Sequence, residues 1–362
     1  MKKIFNFLFI IFMVIMLPSC KKEEEADLII SEFIEDGLNS ALELYNTTDE
    51  DINLKNYKLY GYFNKVYKIK LNGTIKAKST FVISYNSSSL KESLKEKSDL
   101  LVDTLIFSGR NGLALLKNNT VLDIIGYKKN VYPYCENRGI VRKTNYLRGT
   151  SKFDEYEWIR YPKTTLSNLG NVDTTVSEEE LLEGPKLTDE DYARPFINET
   201  NNTLGGGGVV EVTLSSTGDG DTSNFNFPPS LGIGTYRVRY QNVDTPETMS
   251  HLTQEWGIPA KEFTNEALRF AVSIQIQSVL NGSLYETFDR MLGWVWIDNK
   301  LHNFNLVKNG YSRLQFADTQ NMYKGIYYTD YMYHAELYAK RNKLGLHGQK
   351  DPYWNYETNQ PK

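Results

Sequence analysis

Short apolar runs separated by turn residues dominate the first part of the chain. Residues 28–33, 41–45 and 121–125 each form a run of five or six mostly apolar or β-branched positions. Turn-forming pairs such as Asn72-Gly73 and Asn118-Asn119 lie between such runs. Several short strands at this spacing are typical of an antiparallel sandwich. The pattern therefore predicts a β-rich domain over residues 27–171.

The pattern changes in the second part of the chain, where strands and helices alternate. Residues 209–214 and 236–240 read as strands. Residues 257–271 carry apolar positions at near-helical spacing, and Pro259 suits the first turn of a helix. Two more helices are predicted over 301–309 and 328–344. A second domain, mixed but mainly β, is therefore expected from residue 209 to residue 348, followed by a tail over 349–362.

An acidic and glycine-rich segment joins the two parts. Residues 172–208 contain the Glu178-Glu179-Glu180 run and end in four consecutive glycines at 205–208. Such a composition favours flexibility over packing. The segment is predicted to be a linker between the domains, and a loop packed on the first domain is the alternative.

The amino terminus has the pattern of an export signal. Lys2 and Lys3 precede an apolar run over residues 4–17, which is shorter than the ~20 residues that a spanning helix needs. The run ends in Leu17-Pro18-Ser19-Cys20, which resembles the lipobox of bacterial lipoproteins. The resemblance implies that Cys20 is acylated, that residues 21–26 form a tether, and that the protein is exported and anchored to a bacterial membrane, at the periplasmic face or the cell surface. A plain signal peptide or an uncleaved anchor is the alternative.

Composition narrows the classes of protein. Hydrophobic residues make up 40% of the chain and charged residues 24%, as in ordinary globular proteins, and the net charge is -4. From Val209 onward there are 14 basic and 16 acidic residues, so no basic field marks the second domain. With Cys20 lipidated, Cys135 has no partner and is expected to be a buried small hydrophobe. The four histidines show no ligand spacing.

The order of segments in the first domain resembles the lamin tail domain. The matching stretches are residues 30–33, 41–46 and 52–57, then 141–143, 153–158 and Leu169-Gly170. The resemblance implies a small immunoglobulin-like β-sandwich that binds or positions a partner. Glu32 and Glu43 are interpreted as solvent-facing strand positions rather than a catalytic pair.

Two acidic motifs give the second domain its candidate chemistry. Asp219-Gly220-Asp221-Thr222 follows a predicted strand, and Val243-Asp244-Thr245-Pro246-Glu247 follows the strand that contains Arg239. Carboxylates at strand ends beside glycines suit a hard cation such as calcium. An arginine beside them would complete a site for phosphoryl transfer.

These motifs closely resemble the staphylococcal nuclease family. Asp244 lies five residues after Arg239, as in the family pattern, and Arg290 precedes a hydrophobic strand as the family's second essential arginine does. Phe288-Asp289 departs from the Tyr-Gly often found before that arginine. The resemblance implies a mainly β chain whose second domain is an OB-type five-stranded barrel with about three helices.

The resemblance also implies roles for individual residues. Asp221 and Asp244 would bind Ca²⁺ through their carboxylates and Thr245 through its backbone carbonyl, with Asp219 just behind these ligands. Glu247 would orient or deprotonate the attacking water. Arg239 and Arg290 would hold the phosphate, and the products would carry 5′-hydroxyl and 3′-phosphate ends.

DNA, RNA or both are the expected substrates, and two other functions remain open. The barrel could bind nucleic acid or another polyanion without cleaving it, with tyrosines such as Tyr323, Tyr327 and Tyr328 stacking on bases rather than filling space. Alternatively, the first domain could act as an adhesin through an unknown partner.

Overall fold

The computed structural model describes residues 26–62, 67–103, 109–128, 133–173, 176–248, 253–315 and 319–362. The predicted signal peptide, Cys20 and all but the last residue of the predicted tether lie outside the described residues, as does His251. Within these ranges, no helix has the length and apolarity needed to cross a membrane.

The first domain is a sandwich of two sheets. Its strands are β1 (Leu28–Ile34), β2 (Ala41–Asn46), β3 (Ile52–Asn53), β4 (Tyr57–Gly61), β5 (Tyr67–Lys70), β6 (Thr74–Ile75), β7 (Thr80–Tyr85), β8 (Leu100–Val102), β9 (Leu113–Lys117), β10 (Thr120–Ile125), β11 (Arg138–Arg142) and β12 (Trp158–Pro162), with the short helix α1 (Glu92–Lys95) before β8. One sheet has the order β12-β11-β1-β2-β7-β8 and the other β10-β9-β4-β5, while β3 pairs with β6. Pairing is antiparallel except between β7 and β8. Apolar side chains from both sheets, such as Leu44 and Leu59, form the core between them.

The prediction that Glu32 and Glu43 face solvent is wrong, because each is only 1% exposed. The outer face of their sheet is covered by a separate apolar cluster that includes Leu94 of α1 and Leu169. The backbone N–H of Gly170 donates to Glu43 Oε2 at 2.6 Å. The strands are therefore buried on both faces, which strand alternation alone does not reveal.

The second domain is a closed barrel with helices. The elements that follow the sandwich are α2 (Glu178–Glu183), α3 (Asp189–Ala193), β13 (Val209–Glu211), β14 (Thr213–Thr217), β15 (Thr222–Asn226), β16 (Thr235–Tyr240), β17 (Val243–Asp244), α4 (Gly257–Arg269), β18 (Ile274–Ser278), β19 (Met291–Ile297), β20 (Lys300–Leu301), α5 (His302–Lys308), β21 (Arg313–Leu314), β22 (Met322–Tyr323), β23 (Ile326–Tyr327), α6 (Tyr328–Arg341), β24 (Trp354–Asn355) and β25 (Gln360–Pro361). The three helices predicted for this domain correspond to α4, α5 and α6.

One bent segment closes the barrel. The main sheet runs β13-β18-β19-β16-β15-β14, with β20 added to β19. Its two end strands, β13 and β14, are consecutive in the chain and are separated only by Val212. A single bent strand thus joins both edges of the sheet, and counting it once leaves the five main strands of the expected OB-type barrel, plus β20. The fold is therefore mainly β with two domains.

The segment over 172–208 differs from the flexible linker that its composition predicts. Val176, Leu181 and Phe196 belong to the same buried cluster as the barrel core. The glycines form backbone hydrogen bonds to neighbouring segments; for example, Gly206 N–H donates to Phe196 O at 3.0 Å. The described residues of this segment are therefore packed, mainly on the barrel rather than on the first domain alone.

The sandwich and the barrel share a packed contact through α6. Asp330 accepts a hydrogen bond from Arg138 Nε at 2.8 Å and lies 4.0 Å from Arg160 Nη1. The His334 ring stacks on Tyr156, with centroids 4.8 Å apart. Buried side chains of β11 and β12, such as Val141, join the barrel's apolar cluster. Specific contacts therefore set the relative position of the two domains.

Candidate active site

The acidic turn lies between β14 and β15, where a helix and a second loop fix it. Gly220 O accepts a hydrogen bond from Thr264 Oγ1 of α4 at 2.7 Å. A Cβ atom on Gly220 would lie 2.8 Å from Thr245 Cγ2, closer than real Cβ atoms come to a neighbour. Glycine is required here because the two motif loops approach each other at this residue. The turn is thereby pressed against the second acidic motif.

Arg239 of β16 joins the two acidic motifs. Its Nη1 lies 2.5 Å from Asp221 Oδ2, an ion pair without the angle of a hydrogen bond, and its Nη2 donates to Asp244 Oδ1 at 3.1 Å. Asp221 is buried, whereas the Asp244 side chain is 57% exposed. Asp221 Oδ2 also accepts from Thr245 N–H at 2.8 Å. Two carboxylates from distant parts of the sequence therefore lie within the span of one guanidinium.

The other motif residues line an open cleft beside this ion pair. Asp219, Thr222, Glu247 and Arg290 border a cleft of about 510 Å³, together with Gly218, Arg237 and Phe288. Arg290 is paired with Glu286 through its Nε. The Glu247 backbone N–H donates to Gln254 Oε1 at 3.1 Å, which ties the motif loop to the start of α4. The carboxylates of Asp219 and Glu247 and the guanidinium of Arg290 therefore line the same open cleft.

Burial and neighbouring charges shift the pKa values of the ionisable groups in the cleft. Burial and the neighbouring Asp221 charge raise the pKa of Asp219. Burial, with the charges of Asp219 and Asp221, also raises the pKa of Glu247. Its pairing with Glu286 raises the pKa of Arg290 further above its usual high range. Anionic groups therefore outnumber the cations that face them.

The oxygen atoms of this region suit a hard cation. Asp219 Oδ1 and Thr245 Oγ1 are buried and have no hydrogen-bond partner among the described residues. Asp221 and Asp244 present carboxylates to the cationic Arg239. Oxygen donors with surplus negative charge are the ligands that Ca²⁺ prefers. Across the ranges that the structure describes, no group of three or more His, Cys, Asp or Glu side chains could hold a metal ion. A metal here would therefore need backbone oxygens or water besides the two carboxylates.

Several residues that support the two acidic loops were not predicted from the sequence. Ser312 Oγ accepts from Asp244 N–H at 2.8 Å, and Thr264 holds Gly220 from α4. Thr264 Oγ1 also lies 3.0 Å from Nε2 of His302, a buried histidine whose pKa burial lowers to about 3. Arg237 lines the cleft as well. A single polar residue in a helix or strand gives no sequence signal of this kind, since its role depends on contacts between distant segments.

Cys135 and Tyr328, two other residues that the sequence singled out, are both buried. Cys135 is fully buried, burial raises the pKa of its thiol, and its Sγ lies 3.1 Å from Arg138 O. Tyr328 packs edge-on against Trp294 and Trp296. Cys135 is therefore the buried hydrophobe expected from the sequence, and Tyr328 fills the core instead of stacking on a base.

Comparison with known families separates the chain into two recognised domains. Residues 21–129 match the Lamin Tail Domain, and residues 237–349 match the Staphylococcal nuclease homologue family. The chain therefore combines a region similar to the lamin tail domain with a later region similar to the staphylococcal nuclease family, and the second match supports a nuclease hydrolase.

Individual relatives point to the same class. The chain is 29% identical over 140 residues to the SPbeta prophage-derived endonuclease YokF of Bacillus subtilis, covering 38% of this chain and 44% of that protein. It is 30% identical over 90 residues to the thermonuclease of Staphylococcus intermedius, covering 24% and 52%. It is 29% identical over 140 residues to the endonuclease YncB of Bacillus subtilis, covering 38% and 62%. The chain spans less than two thirds of the length of each of these relatives.

Proposed function

We propose that the protein is an exported, membrane-anchored, Ca²⁺-dependent nuclease that hydrolyses phosphodiester bonds of DNA, RNA or both. The observation that carries the proposal is the bridge of Arg239 between Asp221 and Asp244, beside a cleft that Glu247 and Arg290 line. Phosphodiesters resist attack because they are anionic, and a cation with two arginines offsets that charge as it grows in the transition state.

The metal would be held by the carboxylates of Asp221 and Asp244 and by the backbone carbonyl of Thr245. When bound, Ca²⁺ supplies positive charge next to the phosphate. Asp219 lies beside Asp221 and adds negative charge that favours a cation at this place. With Asp221 and Asp244 engaged by a cation, Arg239 would be available to phosphate oxygens.

Glu247 is the proposed base. A carboxylate whose pKa is raised is a stronger base than an ordinary glutamate, and an efficient general base has a pKa nearer the working pH. Arg290 is oriented by Glu286 and faces the same cleft. With the phosphate between them, water activated by Glu247 would displace the 5′ oxygen and leave 5′-hydroxyl and 3′-phosphate ends.

Cleavage of DNA and RNA by the purified protein tests this proposal. We expect cleavage with Ca²⁺, none with excess EGTA, and 3′-phosphate ends that block a polymerase until a phosphatase removes them. Cleavage that persists in EGTA would contradict the metal site. Binding without cleavage by the folded protein in Ca²⁺ would instead indicate a polyanion-binding protein.

Anchoring is a separate part of the proposal and rests on Leu17-Pro18-Ser19-Cys20. Acyl chains on one cysteine would hold the protein stably at a membrane surface. Cys20→Ala should therefore move the protein from the membrane fraction to the soluble fraction without changing its specific activity. Retention of the variant in the membrane fraction would favour an uncleaved anchor.

A further inference from the structure

The net charge of the barrel domain does not explain how the domain would bind a polyanionic strand. From Val209 onward acidic residues outnumber basic ones, 16 to 14, so overall charge does not attract a polyanion. Beside the cleft, Arg239 is paired with two carboxylates, and within the cleft Arg290 is paired with Glu286. Affinity for an extended nucleic-acid strand must therefore come from other local cations.

Arg237 is such a cation. It is exposed and lines the same cleft as Asp219, Glu247 and Arg290. Among the described residues, its guanidinium has no ion-pair or hydrogen-bond partner, in contrast to Arg290 of the same cleft and to Arg239 beside it. Forming a contact with a phosphate would therefore break no existing interaction.

Strand geometry sets its distance from the scissile position. Val238, between the two arginines, is fully buried in the barrel core, so Arg237 and Arg239 project from the opposite face of β16. Alternate residues of a strand lie about 7 Å apart along its axis. This separation is comparable with that of successive phosphates along a nucleic-acid strand. The cross-strand partner of Arg237 is Asn224, which is uncharged and leaves the guanidinium unopposed.

We propose that Arg237 binds the phosphate next to the one that is cleaved, so that the site prefers strands with at least two consecutive phosphates. The inference rests on the proposed nuclease function and deepens it. Arg239 and Arg290 act on the reacting phosphate, whereas Arg237 positions the strand. Arg237 would therefore make the site prefer longer strands without discriminating between bases.

Substrate length provides the first test. The ratio of kcat/KM for an eight-nucleotide thymidine strand to kcat/KM for the dinucleotide TpT, which has one phosphodiester, is measured with Ca²⁺. Arg237→Ala should lower this ratio about tenfold, because a charge-assisted contact made only by the longer strand is lost. Arg237→Lys should restore part of the ratio. Arg269→Ala, which removes an exposed arginine at the end of α4, is the matched control and should keep the wild-type ratio.

Binding in the absence of turnover provides the second test. Anisotropy of a labelled thymidine octamer is measured in EGTA across a range of salt concentrations. Loss of one phosphate contact should reduce the slope of log affinity against log salt by about 0.7 in Arg237→Ala. The Arg269→Ala control should retain the slope of the parent protein.

The outcomes distinguish failure of this inference from failure of the nuclease proposal. If the wild-type protein cleaves neither substrate, the nuclease proposal fails. If it cleaves both and Arg237→Ala retains the wild-type ratio and salt slope, the assignment of Arg237 is overturned. Equal losses on both substrates would also overturn it, because they would place Arg237 at the reacting phosphate.

Discussion

One arginine–carboxylate cluster in the sandwich and one in the barrel differ sharply in their surroundings. In the sandwich, Arg142 and Asp123 are both completely buried and 2.7 Å apart. In the barrel, Arg239 is 12% exposed and bridges the buried Asp221 to the largely exposed Asp244. Both clusters pair the same kinds of group, so their surroundings must account for the difference.

The sandwich cluster is saturated with partners. Asp123 accepts from the N–H groups of Ile30, Ile124 and Thr150 as well as from Arg142. Arg142 also donates to two backbone carbonyls, and its guanidinium carbon lies 4.4 Å from the Trp158 ring centroid. Buried charges with every donor and acceptor satisfied are structural, since nothing remains to bind a ligand.

The barrel cluster is left incomplete. Asp219 Oδ1 and Thr245 Oγ1 have no partner among the described residues, and burial, together with neighbouring negative charges, raises the pKa values of Asp219 and Glu247. Unsatisfied oxygens and shifted pKa values in a cleft are characteristic of functional sites. The two clusters therefore differ in the completeness of their hydrogen bonds, and this difference, rather than the ion pair itself, makes the barrel cluster the candidate for binding a ligand.

The largest effect is expected from breaking the saturated cluster. Arg142→Met should lower the free energy of unfolding by about 3–5 kcal/mol, because Asp123 would be left buried without its counter-charge. Urea denaturation of the full protein measures this. Arg110→Met, which breaks an ion pair whose two side chains are 40% and 39% exposed, should cost less than about 1 kcal/mol. Nuclease activity per folded molecule should not change in either variant, and a specific loss of kcat in Arg142→Met would contradict a purely structural role.

Breaking the incomplete cluster should affect catalysis instead of folding. Arg239→Ala and Arg290→Ala should each lower kcat by about 10²–10³-fold, since each removes a guanidinium that is proposed to stabilise the transition state. Arg239→Ala should destabilise the protein less than Arg142→Met, because Asp221 keeps its bonds from Thr222 and Thr245. The measurement is initial rates with Ca²⁺ on DNA, with Arg269→Ala as control. Losses below tenfold in both variants would show that the site is misassigned.

Local sequence motifs predicted which residues come together in the barrel cluster, and the catalytic roles assigned to them stay predictions. Asp219 to Thr222 and Val243 to Glu247 are short segments in which the type and spacing of the residues indicate a site for a cation and a phosphate. The strand pattern also predicted the sandwich, and strands with three helices were predicted for the second domain, whereas the barrel was implied by the resemblance to the staphylococcal nuclease family. What the motifs did not give is the contact of Gly220 with Thr245 or the support from Ser312, because these join segments far apart in the chain.

The segment over 172–208 shows why composition was misleading. A Cβ atom on Gly206 would lie 2.1 Å from Pro195 O, and one on Gly208 would lie 2.1 Å from Arg194 O. These glycines therefore permit close backbone packing, whereas their run in the sequence suggested flexibility. The two uses of glycine are indistinguishable without knowledge of the neighbouring segment.

A smaller effect is expected from disturbing the contact between the two acidic loops of the barrel cluster. Gly220→Ala would place a methyl group 2.8–3.0 Å from the Thr245 side chain and push the two acidic loops apart. We expect about a tenfold loss of kcat, since small displacements of catalytic groups are costly, together with weaker Ca²⁺ binding. Steady-state rates and calorimetric titration of Ca²⁺ measure these effects. Gly139→Ala in β11, where a Cβ atom would lie 3.5 Å from Ile34, is the matched control, and an unchanged Ca²⁺ affinity in Gly220→Ala would contradict the proposed coupling of the loops.

The smallest effect is expected at Glu32 and Glu43 of the sandwich, a carboxylate pair that has an unpartnered buried oxygen, as the barrel cluster has. Glu32 Oε2 is buried without a partner, and Glu43 lies opposite it on β2, although Glu43 itself accepts from Ser31 and Gly170. Burial and the Glu43 charge raise the pKa of Glu32 well above its ordinary value, despite the opposing charge of Lys97. The folded state therefore holds its proton at pH values where the unfolded chain has lost it. The stability that this group contributes is complete below the unfolded pKa and is lost as pH rises towards the folded pKa.

Glu32→Gln should therefore raise the midpoint of thermal unfolding at pH 8, because the neutral amide removes the cost of a buried charge. The gain should shrink towards zero at pH 4, where Glu32 is protonated in both the folded and the unfolded state to a similar extent. Thermal unfolding followed by circular dichroism from pH 4 to pH 8 measures the difference between variant and parent. Glu50→Gln, at an exposed position of the same domain, should show no such pH dependence. A destabilised Glu32→Gln at pH 8 would mean that Glu32 is ionised and well solvated, and the sandwich would then contain an incomplete cluster of its own.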